Sequence, residues 1–240
     1  MAEWIAYCGA PPVPGTAAWN ADPWLAASLA GLLAWAWRRS ADRTALLAGG
    51  AALAVALFSP LCSLSVALFS ARVGQHMVIL LAAAPLLALG LPGRWRITST
   101  GGIAGAAAGF AVMLWLWHLP GPYAATFRTD VAYWAMHLSL LASAIWLWRG
   151  LLLAAAARPE AVLPAGLATA MQMSALGAFL TFAPRPLFAP HEFTTLAWGL
   201  TQLEDQQLGG LLMWVPGGLT FAGVALGALV LAMRRGRFAA

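Results

Sequence analysis

The stretch VGQHMVILLAAAPLLALGLPGRWR, residues 73–96, decides the fold. From Val73 to Pro92 it holds no charged residue, and it ends on Arg94 and Arg96. A helix that crosses the hydrocarbon core of a bilayer needs about 20 mostly apolar residues, and this segment has that length. Arginines that flank such a segment mark its cytoplasmic end. The segment therefore has a direction, with His76 at the opposite end from Arg94. The same pattern recurs on both sides of it, at 23–39, 44–60, 101–118, 131–149, 161–183 and 206–233. Between the second and third stretches, Leu61 to Ala71 reads in two ways, as an interfacial turn or as a prolongation of the second helix.

Composition agrees with lipid as the solvent. The 240 residues are 62% hydrophobic and 9% charged, where soluble domains carry about 25% charged residues. Seven apolar stretches nearly exhaust the length. The expectation is an all-α polytopic membrane protein, a single seven-transmembrane-helix bundle over residues 1–240, with 1–22 as an external N-terminal segment. That segment does not read as a cleavable signal peptide. Met1-Ala2-Glu3-Trp4 lacks a basic region, and Cys8-Gly9-Ala10-Pro11-Pro12 interrupts any apolar core. The net charge of +5 does not indicate nucleic acid, because the basic residues are spread among loops instead of forming a patch.

The chain has no lysine, so the arginines carry the topology. Arg38, Arg39, Arg43, Arg94, Arg96, Arg149, Arg158, Arg234, Arg235 and Arg237 fall on one side of the alternation, and Arg72, Arg128 and Arg185 on the other. The positive-inside rule then places the N-terminus outside and the C-terminus in the cytoplasm of a bacterial inner membrane. Glu3, Asp22, Asp130, Glu192, Glu204 and Asp205 lie outside, against Asp42 and Glu160 inside. Trp35, Trp37, Trp95, Trp146 and Trp148 mark the inner interface, and Trp24, Trp115, Trp117, Trp134 and Trp214 the outer one.

All four histidines fall on the outer side: His76, His118, His137 and His191. Asp205, Gln206 and Gln207 open the seventh helix nearby, and Cys8 and Cys62 are external too. Met77 follows His76, Met136 precedes His137, and Met213 shares a helix face with Asp205. Imidazole, thiolate and thioether are the ligands that select copper, Cu(I) above all. Ionisable groups inside a membrane normally face the bundle interior and pair with a partner. A metal site built from His76, His118 and His137, with Cys62, Met77 or Asp205, is the sharp reading. The bland one has these histidines bonded to water and backbone.

Several neighbouring features read as structural. Asp205 and Glu204 suit helix capping, while Asp205 could instead orient a histidine. Gln172 reads as an interhelical hydrogen bond, and Met113 and Met233 as packing. Gly101, Gly105 and Gly109 form a small-residue stripe suited to close helix contact. Cys8 could transfer metal or pair with Cys62; spacing leaves both open. No CxxC, HExxH or GxSxG motif is present, which disfavours a zinc centre or a hydrolase. Without lysine no Schiff base can form.

Seven segments together carry a family resemblance: Tyr7-Cys8-Gly9, Trp19-Asn20-Ala21-Asp22-Pro23, Ser59-Pro60-Leu61-Cys62, Ser70-Ala71-Arg72-Val73-Gly74-Gln75-His76-Met77, Trp117-His118-Leu119-Pro120, Asp205-Gln206-Gln207-Leu208-Gly209-Gly210 and Met213-Trp214-Val215-Pro216. The chain resembles the multi-spanning CtaG-type cytochrome c oxidase assembly factors associated with caa-type oxidases, not the single-span copper chaperone that shares the name. The resemblance implies a seven-helix, non-enzymatic protein that matures a haem–copper oxidase, with copper as its cargo. Oxidase subunits and the lipid bilayer are the implied partners, and a periplasmic copper chaperone and a homo-oligomer are further candidates. His76, His118, His137 and Asp205 occupy its motif positions. Many relatives have a second histidine where this chain has Gln75, so that position is not carried over as a ligand.

Three other functions compete. Paired histidines on facing helices can hold haem iron, which suits a haem- or quinone-linked redox protein, although the absence of CxxCH excludes haem c. A transporter would need polar residues across the whole membrane, and the inner half offers little beyond Gln172. A metal-free scaffold for oxidase subunits fits the sequence as well.

Overall fold

Helix starts in this chain are set by short polar side chains and by proline. The structure, a computed structural model, describes residues 6–92, 97 and 99–234. Glu3, Arg94, Trp95, Arg96, Arg235 and Arg237 lie outside the described residues, so their share of the charge pattern rests on sequence alone. Helix α1 spans Pro23–Trp37, with the Asp22 carboxylate accepting from the Trp24 and Leu25 N–H groups. Asp42 caps α2, Arg43–Phe58, in the same way. Such caps satisfy N–H groups that have no partner inside the helix.

The ambiguous stretch after α2 is helical but broken twice. Ser59 is extended, as a residue before proline prefers, and α3, Leu61–Ala67, leaves α2 at a bend of 44°. Leu68 is extended as well and separates α3 from α4, Phe69–Gly90. Helix α4 contains a wide π turn over Val78–Ala83, just ahead of Pro85. Proline has no N–H, so the carbonyl five residues earlier, Leu80, loses its helical partner. The indole of Trp148, from a helix that crosses here, donates to that carbonyl at 2.8 Å.

The remaining helices are α5 (Thr100–Trp117), α6 (Pro120–Ala125), α7 (Asp130–Ala154), α8 (Pro159–Phe182) and α9 (Gln202–Arg234). Ser99 caps α5 and Thr129 caps α7. Thr201 and Glu204 form a reciprocal capping box at α9, the role read for Glu204 from sequence. Among the described residues no β-strand forms. All seven expected stretches are helical. Five of the helices (α4, α5, α7, α8 and α9) are long and apolar enough to cross a membrane singly. The bent α2–α3 pair makes a sixth if it counts as one span, and α1, with 15 residues, is shorter.

Glycine placement explains the most extensive helix contact, between α8 and α9. A Cβ on Gly177 would lie 2.8 Å from the Gly210 carbonyl oxygen, and one on Gly210 would lie 2.7 Å from the Gly177 oxygen. Two members of the small-residue stripe on α5 serve helix packing, as expected. Gly105 and Gly109 receive the Trp146 indole of α7, and Gly101 faces open space.

Arg149, the last residue of the expected stretch 131–149, is not at a helix end. Helix α7 continues past it, and its guanidinium is buried, donating to the Ala88 and Pro92 carbonyls at the end of α4. A cation there complements the negative end of a helix.

Candidate functional site

His76 lies in the second turn of α4 and His137 in the second turn of α7. Their rings meet edge to face, with centroids 5.2 Å apart, and both residues are 4% exposed. His137 Nδ1 lies 3.0 Å from the Tyr133 carbonyl one turn earlier. In both rings Nε2 is buried and has no partner among the described residues. A buried polar atom left without a hydrogen bond costs about 1–3 kcal/mol. Two such atoms on touching rings are unusual.

Aromatic and cationic groups surround this pair. Tyr133, at i−4 from His137, packs tilted against its ring with centroids 4.2 Å apart, and Tyr7 of the N-terminal segment stacks on Tyr133 at 4.7 Å. Arg72, at i−4 from His76, is 1% exposed. Its Nη1 donates to Thr126 Oγ1 at 2.7 Å, and its guanidinium sits over Phe127 (4.1 Å), Tyr123 (5.2 Å) and Tyr133 (5.9 Å). Its Nε and Nη2 have no hydrogen-bond partner among the described residues. The aromatic faces stabilise a buried guanidinium, and among the described residues no carboxylate forms an ion pair with it. Gln75 donates to the Ala56 carbonyl at 2.8 Å.

The other expected ligands are placed elsewhere. His118 closes α5, and its Nδ1 lies 2.7 Å from the Leu114 carbonyl. His191 bonds Tyr123 Oη through Nε2 at 2.6 Å. Burial, with the Arg72 cation adding to it, holds that imidazole down to about 3. Cys62 is joined to Cys8 in a disulfide with a Cα–Cα distance of 5.5 Å, so in this state its sulfur is no thiolate. Asp205 does not orient a histidine. Its oxygens accept from the Phe69 and Ser70 N–H groups at 2.6 and 3.1 Å, capping α4 from α9. Met77 is partly buried against the apolar core, and Met136 and Met213 are core residues. Gln172 accepts from the Trp115 indole at 2.8 Å, the interhelical bond read from sequence.

Among the described residues no group of three or more His, Cys, Asp or Glu side chains is gathered closely enough to hold a metal. The fold thus brings His76 and His137 together and leaves His118, Cys62 and Asp205 out of one cluster with them. Sequence reasoning passed over Arg72 and Tyr133. The signal was present in their spacing, since each precedes a histidine by four residues and so shares its helix face.

The N-terminal segment covers this end. Tyr7 Oη donates to the Asp22 carboxylate, Trp198 Nε1 donates to the Pro12 carbonyl at 3.0 Å, and the Ala18 N–H donates to Ser63 Oγ at 3.1 Å. The Tyr133 hydroxyl lies 3.3 Å from Cys8 Sγ and 3.7 Å from Cys62 Sγ.

Comparison with known proteins gives one positive result. The family model described as cytochrome c oxidase caa3 assembly factor matches residues 27–235. No curated protein and no solved structure matches the chain.

Proposed function

The chain belongs to the cytochrome c oxidase caa3 assembly factor family, and from that premise we propose that it carries copper for an oxidase on the His76–His137 pair. The observation behind this reading is the two buried Nε2 atoms without partners on touching rings. Neutral imidazoles are good copper ligands, and a bound ion would satisfy both atoms at once. Copper here is cargo to be passed on, and the protein performs no catalysis. His118, on the neighbouring α5, and Met77, next to His76, are the side chains from which a third donor would be drawn.

This reading places the histidine end at the outer face of a bacterial inner membrane, following the arginine distribution. Oxidase subunits and the bilayer are the partners it requires. A haem reading fits less well. The two rings touch edge to face, which leaves no room between them for a macrocycle.

Metal analysis of the purified protein tests the proposal. Copper retained by the wild type should fall to background in His76→Ala and in His137→Ala, and decrease in His118→Ala if it is the third donor. Copper content equal to wild type in the first two variants would overturn the reading and leave a metal-free scaffold.

A further inference from the structure

We propose that Cys8 and Cys62, when reduced, form a two-thiolate loading site for Cu(I) across Tyr133 from the histidine pair, with the disulfide as its closed state. The inference rests on the copper reading above and adds the step by which cargo arrives. The two sulfurs stand beside a chain of ring contacts that leads to the histidine pair. Tyr7 lies on Tyr133, Tyr133 on His137, and His137 against His76. The Tyr133 hydroxyl contacts both sulfurs, so the residue that packs on one candidate ligand also touches the cysteine pair.

Charge supplies the second argument. The buried Arg72 guanidinium is a cation at this end of the bundle. Cu(I) on two thiolates carries a net single negative charge, opposite in sign to Arg72. Its Nε and Nη2 are buried without partners among the described residues, and its guanidinium lies 5.9 Å from the Tyr133 ring centre. Soft thiolates also favour Cu(I) over harder cations.

The steps balance. An external protein dithiol attacks the Cys8 sulfur, which is partly exposed while Cys62 is fully buried. The S–S bond takes up two electrons and breaks, and the reductant leaves as its own disulfide. Its two protons pass to Cys8 and Cys62. Cu(I) then displaces both protons with no change in its oxidation state. Re-oxidation of the pair by a disulfide releases Cu(I).

The test uses full-length protein in nanodiscs, with the disulfide intact or reduced and desalted without oxygen. Each form is equilibrated with Cu(I) buffered by bathocuproine disulfonate. Reduced wild type should hold about one more Cu(I) per chain than the oxidised form, and that copper should protect both thiols from a maleimide mass tag. The extra copper should vanish in Cys8→Ser, whose site lies on the partly exposed segment, and persist in the His76→Ala/His137→Ala double variant. An equal copper count in both redox states, or extra copper surviving in Cys8→Ser, would overturn the inference. Failure of the histidine reading shows separately, as oxidised protein that loses no copper on histidine substitution.

Discussion

Asp205 sits in the first turn of its own helix and yet gives both oxygens to another, 136 positions away in sequence. Leu68, which precedes α4, has no side-chain acceptor to cap it, so a buried carboxylate from α9 supplies the missing partner. The same economy governs His191, whose two ring nitrogens are taken by Tyr123 and by the Ala67 carbonyl. Burial lowers its pKa from 6.5 to about 3, so the unfolded chain binds a proton more readily than the folded one. Its contribution to stability is therefore complete above pH 6.5 and is lost as pH falls from there toward 3. Thermal unfolding of detergent-solubilised protein across that window should show the acid loss, and His191→Gln should flatten it. An unchanged acid slope in the variant would show that His191 is not its source.

At the scale of elements, breaks matter more than the regular turns. Helix α4 is interrupted by Leu68 at its start and by the π turn before Pro85, and in each case a residue from a distant helix repairs the backbone. Trp148→Phe keeps an aromatic ring in the core but leaves the Leu80 carbonyl without its donor. The expected cost is about 1–3 kcal/mol, read as a lower midpoint in chemical or thermal unfolding. A midpoint equal to wild type would mean that the carbonyl finds another donor. The apolar stretches themselves, with their caps at Asp22, Asp42 and Thr201, were readable because such signals act within one or two helical turns. The α3–α4 break was not, since nothing local at Leu68 forces an extended residue.

Across the whole molecule, the N-terminal segment and the loops around His191 close over the end where α4 and α7 bring their histidines together. The proposed orientation puts this end outside. In intact cells, a membrane-impermeant maleimide should label Cys8 after mild reduction; labelling that requires opened membranes would reverse the topology. Composition, helical stretches, arginine bias and family were all legible in the sequence, because each depends on short windows or on counts. The clustering of candidate ligands was only partly legible. The four-residue spacing of Arg72 to His76 and of Tyr133 to His137 carries a helix-phase signal that the sequence reading did not use, and which helices face each other depends on packing between segments distant in sequence. Tertiary structure alone joined Cys8 to Cys62 and gave Asp205 to the α4 amides. The physical reason is competition for a single atom. A sulfur or a carboxylate oxygen has several chemically suitable partners in the sequence, and only its position in the folded bundle decides which one it takes.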